Sequence, residues 1–387
     1  MADLRQPVWI NAEDVPPLPK GWRALPTVEA CIQLKPGKLF DSKTVSESGS
    51  IPVLNQSETG FLGYHEEEPG VIASLEAPVV TFANHTCAMR LMKQPFSSIQ
   101  NIFPKVGKPD VTETIYFYYA SLGRVGLSDY KGHHPVFRQA HIPIPPLPIQ
   151  RRIAGILSAY DELIENSQRR IKILESMARA LYREWFVHFR FPGHEHHPRV
   201  PSPLGEIPKA WLVTTLGRLV EIKKGKNITK DTIRDGNVPV VAGGIAPAYF
   251  HDAPNTQSPV ITISASGANA GFVNLYYLDV WASDCSYIDL SATPHVFYYY
   301  LWLDYRRASV THLQRGSAQP HVYPKDLAQL EALGVPEELL GAFMSQVAPT
   351  FGLMMRLTAK IENLRRTRDL LLPRLLSGQI DVEAIAS

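Results

Sequence analysis

The residues whose types and positions suit a chemical role are, first, lysines in two short loops that contain glycine. Lys35 and Lys38 lie in one loop, and Lys223, Lys224 and Lys226 lie in the other. Ammonium groups in exposed loops are suitable contacts for the phosphates of nucleic acid. A solvated turn without a ligand explains the same lysines equally well.

A polar turn late in the chain carries side chains suited to reading base edges. Arg315, Gln319 and His321 lie in this turn, just before an apolar segment. Arg and Gln can make paired hydrogen bonds to guanine and adenine. The corresponding place in the first half of the chain holds His134 and Arg138. Contact between either loop and DNA is therefore a hypothesis.

Motifs of the common catalytic and nucleotide-binding sites are missing from the sequence. It contains no G-x-x-x-x-G-K-[ST] loop, no G-x-G-x-x-G after a strand, no H-E-x-x-H helix and no G-x-S-x-G elbow. Histidines at 194, 196 and 197 lie in a Pro-rich run, where adjacent side chains rarely converge on one ion, so no metal site is predicted. These absences favour a binding protein over an enzyme.

Two stretches with heptad spacing organise the rest of the chain. The first, 149–186, predicts a helix about 57 Å long. The second repeats the spacing about 190 positions later. Apolar stripes of this length need partners, so we expect the two helices to form an antiparallel coiled coil. The expected seam consists of Ile153, Leu157, Ile164, Ile171, Leu174, Leu181, Phe343, Val347, Met354, Leu357, Ile361, Leu364 and Leu371.

Short runs recur in the same order in both halves, which indicates an internal repeat. Each half also has an aromatic segment, near 114–122 and 295–304, that predicts a short helix facing a core; base stacking is the alternative. The matched runs include Pro19-Lys20-Gly21-Trp22 with Pro208-Lys209-Ala210-Trp211, and Ala77-Pro78-Val79-Val80-Thr81 with Ser258-Pro259-Val260-Ile261-Thr262.

The fold class predicted from these patterns is α+β, with two β-rich recognition domains separated by two long helices and related by a pseudo-twofold axis. Different surfaces on a duplicated scaffold would read two different half-sites, so the target is expected to be bipartite and asymmetric. The predicted boundaries are 1–148 for the first domain, 149–188 for the central helix, 189–207 for a linker, 208–335 for the second domain, 336–378 for the C-terminal helix and 379–387 for a tail.

Composition places only modest limits on the partner and the cellular location of the protein. The formal net charge of +2 does not by itself indicate a nucleic-acid partner. The chain has three cysteines far apart, no apolar signal segment at its start and no run long enough to span a membrane. We therefore expect a cytoplasmic protein that does not enter a membrane.

Several longer runs give the chain a family resemblance. Besides the Pro-Lys-x-Trp runs, these are 144–153 before the first helix, 216–226, the Gly-Ser-Ala-Gln at 316–319, and 375–380 after the second helix. The chain resembles the specificity subunits of type I restriction-modification systems over nearly its whole length. It departs from them at 334–338, which lacks the fuller Pro-Pro-x-x-x-Gln form, and in lacking a clear Gly-Ser-x-Gln in its first half.

The resemblance implies a non-catalytic subunit with two target recognition domains that binds double-stranded DNA. It implies two methyltransferase subunits as partners, and an ATP-dependent restriction subunit can join such complexes. This chain would then hold no cofactor, with S-adenosylmethionine, ATP and magnesium on the partner subunits. The long helices would dock the methyltransferase subunits. Apolar residues beside the seam fit such a contact or, equally, a broad intramolecular seam: Ile156, Leu163, Ile173, Leu339, Phe351 and Met355.

Two other classes of protein compete with a DNA-specificity subunit. A coiled-coil scaffold that spaces two protein-binding domains would show no sequence-dependent DNA binding. A self-contained nuclease would cleave DNA with magnesium alone.

Overall fold

The computed structural model describes residues 9–10, 12–127, 132–229, 232–316 and 320–383. The chain forms two compact units. The first unit comprises Met1–Asn166 with Lys360–Ser387, and the second comprises Ser167–Ala359. Gln319, one of the predicted base-reading residues, lies outside the described residues.

The first unit is built on three small β-sheets. A four-stranded antiparallel sheet has the order β2-β8-β5-β6, a three-stranded sheet the order β4-β3-β7, and β1 pairs with β9. The elements are β1 Arg23–Pro26, α1 Thr27–Ala30, β2 Cys31–Gln33, β3 Ile51–Leu54, β4 Gly63–His65, β5 Val79–Ala83, β6 Met89–Met92, β7 Ser97–Ser98, β8 Ile102–Gly107, α2 Thr114–Ser121, α3 His134–Gln139 and β9 His141–Ile144. A 3-10 turn, Ala12–Asp14, precedes them.

The second unit contains a hairpin, β10-β11, and three further sheets. These have the orders β13-β19-β16-β17, β15-β14-β18 and β12-β20. The elements are β10 Arg199–Ser202, β11 Gly205–Pro208, β12 Leu212–Thr215, α4 Leu216–Leu219, β13 Lys223–Lys224, β14 Val238–Val241, β15 Tyr249–His251, β16 Val260–Ser264, β17 Val273–Tyr276, β18 Trp281–Ala282, β19 Cys285–Ile288, α5 Val296–Tyr305, α6 Arg307–His312, α7 Pro324–Leu327 and β20 Glu331–Gly334. Two 3-10 turns, His194–His196 and Gly267–Asn269, complete it.

Both long helices are present, and each is 40 residues long. The central helix runs Leu147–Phe186 and the C-terminal helix Glu337–Leu376, close to the predicted boundaries. Both have residues in each unit. Eight of the predicted seam residues are buried and the other five are half-buried. The half-buried ones are Ile171, Leu174, Leu181, Leu364 and Leu371.

Inside the first unit, the helices and the sheet share one core. Ile153 and Leu157 of the central helix belong to the same apolar cluster as Leu372 and Leu375 of the C-terminal helix. A polar contact crosses this core. The Asp161 carboxylate accepts hydrogen bonds from the Arg368 guanidinium and from the Tyr119 hydroxyl of α2. Burial, then the Asp161 charge, raises the pKa of Tyr119, so this phenol stays a donor.

Inside the second unit, aromatic side chains connect the two long helices. The Phe343 ring centroid lies 4.8 Å from that of Phe186 and 5.5 Å from that of Trp185. Phe351, for which a partner contact and a broad intramolecular seam were equally open, is only 2% exposed and stacks on Phe297 of α5 with ring centroids 4.3 Å apart. Phe351 therefore packs inside its own unit rather than facing a partner, because an aromatic helix packs over this turn.

Two further expectations, on the aromatic segments and on the linker, met different outcomes. The aromatic segments form α2 and α5, and Tyr116, Phe117 and Tyr298 are buried, which supports the core interpretation over base stacking. The predicted linker holds all of the β10-β11 hairpin except Pro208, and its Phe191 joins the core of the second unit. The C-terminal helix contains Pro373 and continues past it to Leu376.

We expect Phe343→Ala to lower the free energy of unfolding by about 3–5 kcal/mol, because it removes a fully buried ring from an aromatic cluster. Met355→Ala is a matched control on the same helix, since Met355 is 40% exposed, and it should change stability by about 0.5 kcal/mol or less. Urea denaturation followed by tryptophan fluorescence measures both. Equal losses would contradict the burial of Phe343.

Candidate nucleic-acid interface

In the first unit, the loop after β2 presents one free lysine and one paired lysine. Gly37 adopts a φ of +71°, and a Cβ there would lie 2.5 Å from the Gly70 Cα. A glycine is therefore needed for the backbone at position 37 to lie this close to Gly70. The Lys38 ammonium donates to both carboxylate oxygens of Glu67 at 2.6 Å, which lowers the pKa of Glu67. Lys35 is exposed and makes no ion pair with any described residue, so it is the better phosphate contact of the two.

Helix α3 positions His134 and Arg138 over the four-stranded sheet. The His134 backbone N–H donates to the Asn84 side chain at 2.8 Å, and the imidazole stacks on Phe103 with ring centroids 3.7 Å apart. Arg138 is exposed on the same helix. The imidazole is therefore held rigidly, and the guanidinium is available to a ligand.

Sequence reasoning missed Lys105, which lies beneath His134. It is only 2% exposed, and its ammonium lies 3.1 Å from the His134 Nε2. Burial, then the charges of Lys105 and Arg138, lowers the pKa of His134 to about 4. The available signal was a lysine inside the apolar run of β8.

In the second unit, the three candidate lysines after α4 have different surroundings. The Lys223 ammonium donates to the Ser291 hydroxyl and lies 3.5 Å from the buried Asp289 carboxylate, so its charge is compensated. Lys224 is exposed. Lys226 is exposed too, and its ammonium lies 6.0 Å from the centroid of the Trp281 ring.

The polar turn at 315–321 is fixed at both of its described ends. The backbones of Arg315 and His321 exchange two hydrogen bonds of 2.9 Å, and the Arg315 guanidinium donates to the buried Asp326 at 2.7 Å. His321 stacks on Tyr323 with ring planes 10° apart. Arg315 therefore has a structural partner, while its side chain remains 67% exposed and able to reach a ligand.

The structure brings some candidates together and separates others by unit. His134 and Arg138 share α3, Lys223 and Lys224 share β13, and Arg315 and His321 share one turn. Among the residues that the structure describes, no group of three or more His, Cys, Asp or Glu side chains is arranged to hold a metal ion. In that same part of the chain, no helix is long and apolar enough to cross a membrane.

The long helices also expose apolar side chains. Leu163, Ile173 and Met177 of the central helix are 45%, 54% and 59% exposed, and Met355 and Leu370 of the C-terminal helix are 40% and 56% exposed. Met177 and Leu370 were not predicted. Ile156 and Leu339 are half-buried and pack against the cores of their own units.

Comparison with known proteins gives a consistent result. Residues 29–176 match the type I restriction modification DNA specificity domain. The type I restriction enzyme MjaIX specificity subunit of Methanocaldococcus jannaschii is 26% identical over 329 residues, which cover 76% of this chain and 75% of that protein. The MjaVIII specificity subunit of the same organism is 36% identical over 91 residues, covering 24% of this chain and 21% of that protein.

A solved structure has the same fold. The crystal structure of the type-I restriction-modification system S subunit from M. genitalium matches with a TM-score of 0.61 at 17% identity. The match covers 92% of this chain and 96% of that chain.

We expect Arg315→Ala to destabilise the second unit by about 1–3 kcal/mol, because the buried Asp326 carboxylate loses its partner. Lys325→Ala removes a neighbouring exposed cation and should cost about 0.5 kcal/mol or less. Urea denaturation of both variants measures the difference. If the two variants unfolded alike, the Arg315–Asp326 pair would have no role in stability.

Proposed function

We propose that the chain is a DNA specificity subunit of a type I restriction-modification system, and that it reads a bipartite, asymmetric DNA target with one unit for each half-site. The chain is a non-catalytic subunit, and methylation and cleavage belong to the assembled complex. Its side chains therefore serve to bind, orient and discriminate rather than to react.

The observation that carries this proposal is that the sheets of the two units have corresponding strand orders. The sheet β2-β8-β5-β6 of the first unit has its counterpart in β13-β19-β16-β17 of the second, and β4-β3-β7 in β15-β14-β18. In both three-stranded sheets, the central strand is antiparallel to one neighbour and parallel to the other. This agreement supports a duplicated recognition domain.

The candidate contact residues differ between the units. The first unit offers Lys35, His134 and Arg138, and the second offers Lys224, Lys226 and the turn at 315–321. Basic side chains position a protein on the phosphates, while base-edge contacts supply specificity. Different side chains on one scaffold would read different sequences, which makes the target asymmetric.

The long helices are proposed to form an antiparallel coiled coil that sets the gap between the half-sites. In the first unit Asp161 pairs with Arg368, and in the second Trp185 contacts Phe343. From Asp161 to Trp185 the residue number on the central helix rises, while that of the contacted residue on the C-terminal helix falls from 368 to 343. This order supports an antiparallel pairing. At ~1.5 Å per residue, 40 residues span about 60 Å.

The partners and cofactors follow from the same proposal. Two methyltransferase subunits would dock on the long helices, where exposed apolar residues such as Leu163, Ile173 and Met355 are available. S-adenosylmethionine would bind those partners, and ATP and magnesium would serve a restriction subunit in complexes that include one. A cytoplasmic location, where the host DNA lies, completes the proposal.

The test is to express the chain with the methyltransferase subunit of its host and to map the methylated bases of the genome. We expect a motif with two distinct halves and a fixed gap, which disappears when this chain is deleted. A methyltransferase that associates with the chain but gives no new methylation would favour the alternative, a scaffold that spaces two protein-binding domains.

A further inference from the structure

Lys105 is a buried cation without an acidic partner. It is 2% exposed and forms no ion pair within the described ranges of the chain. The charged or titratable groups that act on it are Cys31 of β2, whose thiol pKa is raised by burial, and Arg138 of α3. Burying an ammonium without a carboxylate is costly, so the position requires another explanation.

The second unit shows that packing does not require a lysine here. Lys105 pairs with Val80 across the β8-β5 ladder, and at the matching place Ile288 pairs with Ile261 across β19-β16. Ile288 is fully buried. An isoleucine therefore suits this register, and the lysine of the first unit is kept at a cost in stability.

The Lys105 ammonium is aimed at His134. It donates to the Gln33 side-chain oxygen at 3.1 Å and lies 3.1 Å from the His134 Nε2. An ammonium has three donors and no acceptor, so Nε2 accepts and the imidazole proton lies on Nδ1. Stacking on Phe103 and the Asn84 contact hold the ring in this orientation.

The surroundings of His134 also keep it uncharged. The ring packs against Phe82 of β5 and Phe103 of β8, and the charged groups that act on it are Lys105 and Arg138. Burial and these two cations all disfavour the imidazolium, and the pKa falls to about 4. Above about pH 5 the ring is therefore neutral.

The remaining ring nitrogen is open to a ligand. His134 is half-buried, and its Nδ1 has no hydrogen-bond partner among the described residues. Unlike the Nδ1 atoms of His141 and His295, it is not enclosed by the protein. A neutral N–H at this point can donate one hydrogen bond and accept none.

We propose that Lys105 is a positioning residue that fixes His134 as an Nδ1–H donor toward an acceptor atom of DNA. This inference rests on the proposed function, and it adds a chemical preference to the first half-site. The N7 and O6 of guanine, the N7 of adenine, the O4 of thymine and phosphate oxygens accept such a bond, whereas the amino groups of cytosine and adenine do not.

The tautomer is measurable without DNA. In the full chain with ¹⁵N-labelled histidine, the spectrum of His134→Phe identifies the His134 signals among those of 13 histidines. We expect a protonated Nδ1, an unprotonated Nε2 and no titration between about pH 5 and 8. A protonated Nε2, or a titration near the ordinary value of about 6.5, would overturn the proposal.

Two lysine variants separate positioning from mere packing. Lys105→Ile copies the residue of the second unit, and it should raise the pKa of His134 and let its proton exchange between the nitrogens. Lys108→Met removes an exposed lysine just beyond the same strand and should leave the His134 spectrum unchanged. If Lys105→Ile also left it unchanged, Lys105 would not position the ring. The wild-type spectrum decides the tautomer even if Lys105→Ile does not fold.

The DNA contact is tested in the complete complex. His134→Phe keeps an aromatic ring to stack on Phe103 but has no donor. It should weaken binding to the sequence that the complex methylates by about tenfold. Relaxed preference at one base pair would identify a base-edge acceptor, while a uniform loss across sequences would identify a phosphate oxygen. Unchanged affinity and motif would overturn the contact. A wild-type complex that recognises no sequence would instead count against the proposed function.

Discussion

Burial of the apolar stripes on the two long helices is the constraint on which the rest of the structure depends. An isolated helix in water draws little stability from its backbone, so these helices rely on packing. Each unit supplies that packing. Ile153 and Leu157 join the core of the first unit, while Phe343 and Val347 join that of the second. The sheets are therefore attached to the helices through shared cores rather than through flexible linkers.

The two cores meet this constraint with different chemistry. In the first unit the Asp161 carboxylate between Tyr119 and Arg368 places a directional polar contact among apolar residues. In the second unit, Phe297 of α5 stacks on Phe351 of the C-terminal helix. A partly buried polar contact such as this one is satisfied in one register only, whereas apolar packing tolerates sliding. The pairing of the helices in the first unit is thus the more specific of the two.

Much of this architecture could be predicted from the sequence, because heptad spacing and repeated runs are properties of the chain itself. Both long helices end within two residues of their predicted boundaries. Side-chain environments could not be predicted. Phe351 lies on the flank of a stripe, and only the tertiary position of α5 buries it. Lys38, Lys223 and Arg315 have acidic partners distant in sequence, so spacing gave no sign that their charges are compensated. Lys105 was missed because the residue pattern of a strand does not reveal which side chains pack against its face.

The central claim is that the long helices space two independent readers. It is tested most directly by inserting one heptad between Asn166 and Ser167 and another between Ala359 and Lys360, where each helix passes from one unit to the other. Seven residues add about 10.5 Å at ~1.5 Å per residue, which is about three base pairs of DNA at ~3.4 Å each. Mapping of methylated bases should then show both half-sites unchanged and the gap longer by about three base pairs. An unchanged gap, or altered half-sites, would contradict the helical spacer.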